Sequence, residues 1–129
     1  MDDSKKALII DKSPIFRRIL KEVIQASEPH VVVTQAPDAD QALRVLKDES
    51  QDVVFLDIVL AGGNGIEFIG RIKDMLPDTR IVVVTGHDSV EHKEASLQFG
   101  ADFFLSKERA VGLPLIEVIH QTLSISGNG

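Results

Sequence analysis

The sequence predicts a single α/β domain in which a parallel sheet is covered by helices on both faces. Five short apolar runs bounded by turn residues indicate buried strands, and five stretches with apolar residues three and four positions apart indicate amphipathic helices. The two kinds of segment alternate five times with short connections, which is typical of right-handed βαβ units. With 129 residues, the chain is long enough to bury a core of its own.

The first two βα units occupy the N-terminal part of the chain. Residues 7–10 form a predicted strand that ends at Asp11, and the helix at 14–25 begins with Ser13 as its N-cap and a proline in its first turn. Residues 30–34 are β-branched and predict a strand near a sheet edge, and a second helix opens at Pro37 and Asp38. We expect the apolar positions of the first helix to face the core and its arginines to face water; the apolar positions are Ile15, Phe16, Ile19, Leu20, Val23 and Ile24, and the arginines are Arg17 and Arg18.

The other three units follow a central strand at 52–56 that runs straight into Asp57. A loop with three glycines leads to a helix at 66–75. A strand at 80–85 precedes a weakly apolar helix at 90–99, which Gly100 terminates. A last strand at 102–106 and a helix at 113–123 complete the pattern. We expect one domain over residues 1–124, with residues 125–129 as a flexible tail or the start of a linker.

Composition excludes several classes of protein. There is no cysteine, so neither disulfides nor thiolate metal sites are available. The apolar runs are too short for a membrane span, and the polar N-terminus lacks a signal peptide, so we expect a cytoplasmic protein. A net charge of −6 argues against direct contact of this domain with nucleic acid.

Polar side chains end four of the five predicted strands: Asp11, Asp57, Thr85 and Lys107. Each alone is compatible with a helix cap or a solvated side chain. Because the carboxyl ends of parallel strands share one edge of a sheet, we expect the four to converge. Such a set has the parts for phosphoryl transfer, namely a carboxylate nucleophile, a carboxylate for Mg²⁺, and a hydroxyl and an ammonium for the phosphoryl oxygens.

Over residues 5–123 the chain resembles the receiver domain of bacterial two-component response regulators. The matching motifs are Leu-Ile-Ile-Asp at 8–11, Phe-Leu-Asp at 55–57 with Gly-Ile-Glu at 65–67, Val-Val-Thr-Gly at 83–86, and Gly-Ala-Asp-Phe-Phe-Leu-Ser-Lys at 100–107. The resemblance implies a flavodoxin-like, doubly wound (βα)5 sandwich of three layers with strand order 2-1-3-4-5. It also implies that Asp57 is the phosphoacceptor, Thr85 the switch hydroxyl, Lys107 the phosphate-binding lysine and Phe104 the switch aromatic.

The same resemblance implies partners and a mode of action. The phosphoryl donor would be a histidine kinase or a phosphotransfer protein, and the domain would catalyse only its own phosphorylation and dephosphorylation. Phosphorylation would alter the surface formed by the fourth helix, the fifth strand and the fifth helix. A downstream output domain or protein, and a homodimer formed through the last two helices, are further expected partners.

The chain departs from the family pattern at Lys12, where the family usually carries a second metal-site acid. If Lys12 points inward, it would repel Mg²⁺ and pair with Asp57. If it points outward, Asp11, Asp57 and the backbone carbonyl of Val59 would still hold the ion with extra water. We expect Mg²⁺ binding that is weakened but not abolished. Two lesser departures are Glu108 and the Leu-Ala pair at 60–61, where the family often has prolines.

Three alternative functions remain to be weighed. A pseudo-receiver would bind a partner without efficient Mg²⁺-dependent phosphorylation, and Lys12 favours it. An aspartate-based phosphatase usually has a second aspartate two residues after its nucleophile, but Val59 stands there. A flavin carrier would need a different loop after the first strand and aromatic residues beside the flavin, and the chain has no Trp or Tyr.

Two further motifs do not predict sites. His87 and His92 are five positions apart, whereas metal-binding pairs on a helix are usually four apart, and no third ligand accompanies them. The Gly-Gly-Asn-Gly run at 62–65 predicts a turn, because it lacks the Lys-Ser/Thr ending of a phosphate-binding loop.

Overall fold

Five parallel strands form the central sheet. The computed structural model describes residues 4–60, 63–110 and 112–124. The strands are β1 (Lys6–Ile10), β2 (Val32–Ala36), β3 (Val53–Leu56), β4 (Arg80–Thr85) and β5 (Phe103–Ser106). They lie in the order β2-β1-β3-β4-β5, and every neighbouring pair is parallel. The strand order 2-1-3-4-5 is therefore confirmed, with β2 at an edge as its sequence predicts.

Helices connect the strands and cover both faces of the sheet. They are α1 (Pro14–Ser27), α2 (Ala39–Asp48), α3 (Gly65–Met75), α4 (Val90–Gln98) and α5 (Leu113–Leu123). Two further segments were not predicted: a four-residue helix, Lys107–Ala110, directly after β5, and a two-residue antiparallel ladder that pairs Val59–Leu60 with Gly63–Asn64. Both are too short to leave a periodic pattern in the sequence.

The sheet separates two apolar layers. Alternate residues of β1 point to opposite faces, so that Leu8 lies in the layer under α2 and α3, whereas Ile9 lies in the layer under α1 and α5. Both side chains are fully buried, as expected for a central strand of a parallel sheet. Helix α4 contributes little, because Ser96 is its one buried residue. The weak apolar character predicted for this helix is thus confirmed.

Helix α1 corrects one prediction about its apolar face. Leu20 and Ile24 are buried, but Ile15 and Ile19 are 73% and 39% exposed. Six apolar positions at 15, 16, 19, 20, 23 and 24 form a stripe wider than the face that this helix presents to the sheet. The side chains on one margin of that stripe consequently remain in solvent.

The amino edge of the sheet, where the strands begin, is fastened by side chains. The backbone N–H of Lys6 donates to Asp52 Oδ2 at 2.8 Å, which ties β1 to the start of β3. Asp102 Oδ2 accepts from the backbone N–H of Ile81 at 2.8 Å and from Lys73 Nζ at 3.0 Å. These contacts join α3, β4 and the start of β5 at the edge away from the four strand-end residues.

Some predictions concern residues outside this description. The predicted tail at 125–129 lies outside the described residues, as do residues 61 and 62 of the predicted turn. Within the described part of the chain, no helix combines the length and the apolar character needed to cross a membrane.

Candidate functional site

Four strand-end side chains meet at the carboxyl edge of the sheet. Lys107 Nζ lies 2.9 Å from Asp11 Oδ2 and 3.0 Å from Asp57 Oδ2. Thr85 Oγ1 donates to Asp57 Oδ1 at 2.7 Å. The structure thus brings together residues that are 96 positions apart at the extremes, as the parallel topology requires.

The side chain of Asp57 is nearly inaccessible to solvent, and three protein groups contact its carboxylate. It is 6% exposed and directly follows β3, in the middle of the sheet. Its Oδ1 accepts both the hydroxyl of Thr85 and the backbone N–H of Val59, the latter at 3.0 Å, and its Oδ2 faces Lys107. Hydrogen bonds to a carboxylate compensate for its burial, so the arrangement presents an oriented, desolvated anion.

Asp11 is tied to the start of α1. It is 2% exposed, and its Oδ1 accepts from the backbone N–H of Ser13 at 2.8 Å. The hydroxyl of Ser13 in turn accepts from the backbone N–H of Phe16 at 3.1 Å, which confirms Ser13 as the N-cap of α1. All four carboxylate oxygens of Asp11 and Asp57 therefore face donors from the protein itself.

Lys107 is the cation between the two carboxylates. Burial alone would lower the pKa of its ammonium, but the hydrogen bonds and charges of Asp11 and Asp57 outweigh burial and raise that pKa above the ordinary lysine value. Its Nζ also lies 4.3 Å from the centroid of the Phe16 ring. The ammonium is therefore contacted by two anions and one aromatic face.

Lys12 takes the outward of the two orientations considered above. The residue is exposed, and the cation that pairs with Asp57 is Lys107. Lys12 thus leaves the interior of the site to Asp11, Asp57 and the Val59 backbone.

The groups at this edge that could bind a metal ion are all oxygen atoms. Mg²⁺ commonly takes one or two carboxylates together with waters and phosphate oxygens, and the pair Asp11 and Asp57 matches that requirement. Within the described ranges, no group of three or more His, Cys, Asp or Glu side chains is arranged to hold a metal. The donor set accordingly fits Mg²⁺ with one carboxylate fewer than the family pattern provides.

Arg17 is part of the site's framework, contrary to the prediction that it faces water. It is partly buried, and its Nη1 donates to the backbone carbonyl of Asp11 at 2.6 Å while its Nε donates to Gln35 Oε1 at 3.1 Å. It therefore joins α1 to the ends of β1 and β2. Nothing in the sequence separates it from its neighbour Arg18, which is exposed.

The aromatic pair at the start of β5 divides between the two layers. Phe104 packs on the α2–α3 side and Phe103 on the α1–α5 side, both partly buried. Adjacent residues of a strand point to opposite faces of the sheet, so one side chain of the pair faces each layer. Phe104 lies in the layer that also contains Ala101, which follows α4. Its place beside Val83 links it to the strand that ends in Thr85.

The histidines after β4 lie close to each other. The rings of His87 and His92 meet edge to face with centroids 5.8 Å apart, and His92 Nδ1 lies 2.7 Å from the hydroxyl of Ser89. The backbone N–H of His87 donates to Thr85 Oγ1 at 3.2 Å. The Thr85 hydroxyl, which donates to Asp57, therefore also accepts a hydrogen bond from the loop after β4.

Gly65 closes the loop that follows Asp57. Its N–H donates to the carbonyl of Ile58 at 3.0 Å, and a Cβ at this position would lie 2.5 Å from the Ile58 backbone. Only glycine fits this approach without a shift of the chain. The beginning of α3 is thereby fixed against the residue next to the candidate phosphoacceptor.

Comparisons with known proteins agree with this architecture. Residues 7–113 match the family model of the response regulator receiver domain. A nitrate/nitrite response regulator protein homolog of Haemophilus influenzae is 28% identical over 108 residues, which cover 84% of this chain and 52% of that protein. The chain thus spans about half the length of the curated relatives it matches first.

Solved structures give the same result. A response regulator receiver domain protein (CheY-like) from Methanospirillum hungatei superposes with a TM-score of 0.81 at 26% identity, covering 92% of this chain and 93% of that one. A response regulator protein from Burkholderia pseudomallei, solved with a phosphorylated aspartic acid, a calcium ion and citrate, superposes with a TM-score of 0.79 at 28% identity. That likeness covers 95% of this chain and 68% of the other.

Proposed function

This chain belongs to the family of response regulator receiver domains, and from that premise we propose that it accepts a phosphoryl group from a phosphohistidine onto Asp57. Receiver domains are signalling domains of two-component systems, and they interact with histidine kinases or phosphotransfer proteins. The observation that best supports the proposal is the convergence of the Thr85 hydroxyl and the Lys107 ammonium on the buried Asp57 carboxylate. The domain would catalyse only its own phosphorylation and dephosphorylation.

The proposed transfer needs positioning and charge neutralisation more than covalent assistance. A carboxylate oxygen of Asp57 attacks the phosphorus, and a P–O bond forms while the P–N bond of the phosphohistidine breaks. The leaving imidazole nitrogen keeps the electron pair of that bond. Lys107 balances the charge of the phosphoryl oxygens, and Thr85 donates a hydrogen bond to one of them.

Receiver domains bind Mg²⁺ for phosphorylation, and in this chain Asp11, Asp57 and the Val59 carbonyl would hold it. When bound, the ion neutralises negative charge on the phosphoryl oxygens. Lys12 contributes a positive charge where the family usually has a carboxylate, although its side chain is exposed. We therefore expect this domain to need more Mg²⁺ than family members with both acids.

We propose that the signal leaves through the α4-β5-α5 surface. Thr85 would move with the phosphoryl group, and Phe104 would follow into the space beside β4. Helix α4 is anchored weakly and leaves Val90 and Leu97 exposed at 67% and 42%, which suits an element that repacks against an output domain, an output protein or a second copy of the chain.

A titration of Mg²⁺ and beryllofluoride tests this function, because beryllofluoride with Mg²⁺ imitates a phosphoryl group on an aspartate. We expect saturable amide shifts at Asp57, Thr85, Phe104 and Lys107, and no saturable shifts in Asp57→Asn. Incubation with acetyl phosphate should add one phosphoryl group to the wild-type mass and none to Asp57→Asn. Absence of both responses at high Mg²⁺ would refute the proposal.

A pseudo-receiver is the second candidate, and one observation favours it. Every oxygen of the Asp11 and Asp57 carboxylates faces a protein donor, so protein groups alone satisfy both carboxylates. Such a domain would bind its partner through the same surface irrespective of phosphorylation. The titration distinguishes the two candidates, since a pseudo-receiver gives no Asp57-dependent response.

A further inference from the structure

We propose that Phe16 is a positioning residue that holds the Lys107 ammonium in the place where it meets the phosphoryl group. The inference rests on the function proposed above and assigns a role to a residue of α1 that the transfer chemistry leaves unused. Its basis is the 4.3 Å distance between Lys107 Nζ and the centroid of the Phe16 ring. A cation at this distance over an aromatic face is attracted by the quadrupole of the ring.

A closed series of contacts fixes the ring. Asp11 Oδ1 accepts from the N–H of Ser13, the Ser13 hydroxyl accepts from the N–H of Phe16, and the Phe16 ring faces Lys107, whose Nζ returns to Asp11 Oδ2. The N-cap of α1 therefore orients the Asp11 carboxylate and the backbone of Phe16 together. A change in the position of the ring would change its distance from the Lys107 ammonium directly.

The chemistry of the ammonium explains what the ring adds. A lysine ammonium carries three N–H donors, and the carboxylates of Asp11 and Asp57 take two of them. The Lys107 side chain is 24% exposed, so water can reach the ammonium. The ring face covers one of the directions from which water would otherwise approach it. Phe16 thus limits the positions that this flexible side chain adopts.

Phe16→Leu tests the proposal, because leucine keeps an apolar side chain in the α1–α5 layer but has no aromatic face. Phe16→Tyr restores the face, and Phe16→Met is a second variant that removes it in case leucine packs poorly. Phe103→Leu is the matched control. Phe103 packs against the same layer and its ring lies 5.5 Å from Arg80 Cζ, so it loses an equivalent contact with a different cation.

The first readout is the mobility of the Lys107 side chain at neutral pH, measured as an NMR order parameter at the carbon next to the ammonium. We expect the order parameter to fall in Phe16→Leu and Phe16→Met, because the ammonium loses the aromatic face that limits its positions. It should recover in Phe16→Tyr and stay unchanged in Phe103→Leu. The second readout is beryllofluoride affinity in the presence of Mg²⁺, which should weaken about three- to tenfold in the leucine and methionine variants alone.

Two results would overturn the role of Phe16: an unchanged Lys107 order parameter in folded Phe16→Leu and Phe16→Met, or an equal fall in Phe103→Leu. A wild-type domain that does not bind beryllofluoride would refute the proposed function instead. In that case the order parameter still decides whether the ring holds the ammonium.

Discussion

Lys12 is an exposed cation directly beside the buried site. It follows Asp11 directly but does not enter the pair formed by Asp11 and Asp57 with Lys107. We expect Lys12→Asp to tighten Mg²⁺ binding about tenfold or more, because the local charge becomes more negative by two units. Amide shifts measured across a Mg²⁺ titration give the dissociation constant.

Two further variants test whether the effect depends on the charge at position 12 or on the net charge of the domain. Lys12→Ala should give an intermediate affinity, since it removes the positive charge without adding a carboxylate. Lys47→Asp changes the net charge equally at the far end of α2 and should leave Mg²⁺ binding almost unchanged. Equal tightening by Lys47→Asp would mean that overall charge, and not the site, controls the affinity.

Lys107 predicts how stability depends on alkaline pH. Burial opposes the charged form, but Asp11 and Asp57 raise the pKa of Lys107 in the folded state. A group with a raised folded-state pKa stabilises the fold below its unfolded pKa, and that stabilisation is lost as pH rises through the folded value. The contribution of Lys107 is therefore complete at neutral pH and is lost above the ordinary lysine pKa of about 10.4.

Denaturant unfolding of wild type and Lys107→Met at a series of pH values measures this dependence. The difference in unfolding free energy should be constant near neutral pH and should shrink in the alkaline range. Phe103→Leu, which removes no ionisable group, should show no such trend. A difference that stays constant between about pH 7 and about pH 11 would contradict the assignment.

At this scale, the sequence was sufficient for residues whose position follows from topology. Asp11, Asp57, Thr85 and Lys107 converge because each directly ends a parallel strand. The contact of Phe16 with Lys107, like the hydrogen bonds of Arg17, depends on side-chain rotamers and on how α1 is turned over the sheet. A pattern of apolar spacing does not contain that information.

Among the elements, α3 depends on a glycine at its first residue. Gly65 approaches the Ile58 backbone so closely that Gly65→Ala should lower the free energy of unfolding by about 1 to 3 kcal/mol or more. Gly86→Ala is the matched control, because a Cβ there meets nothing within 4 Å. Denaturant unfolding should separate the two variants, and equal losses would contradict the steric explanation.

The boundaries of helices and strands were predictable where a capping residue or a long run of periodically spaced apolar residues marks them. Ser13 caps α1 as predicted, and Gly100, with φ +118°, follows α4 as its sequence indicates. The helix Lys107–Ala110 was missed because four residues do not complete a recognisable pattern. The exposure of Ile15 and Ile19 was missed because periodicity gives the direction of an apolar stripe but not how much of its width is covered.

For the whole molecule, the two apolar layers should act as one cooperative unit because they share the sheet. Ile24 lies in the α1–α5 layer and Ile69 in the α2–α3 layer, and both are fully buried. We expect Ile24→Val and Ile69→Val each to cost about 0.5 to 1.5 kcal/mol. The double variant should lose their sum within about 0.5 kcal/mol.

Unfolding of these variants followed by circular dichroism and by amide NMR should give one coincident transition. Two separate transitions would show that the layers unfold independently. The layers of the fold were predictable from the five alternations of strand and helix, whereas the strand order was what the resemblance to receiver domains implied. The orientation of Lys12 was not predictable, since the sequence allowed its side chain to point into the site or away from it.

The fastened amino edge of the sheet has a mechanical consequence. Asp52 and Asp102 clamp the beginnings of β1, β4 and β5, whereas the candidate site lies at the opposite ends of the same strands. Because these hydrogen bonds fasten the beginnings of the strands, we expect a displacement that starts at Asp57 to be larger at the carboxyl edge of the sheet than at the amino edge. Amide hydrogen exchange in the presence of beryllofluoride and Mg²⁺ would then change at the carboxyl edge and stay constant around Asp52 and Asp102.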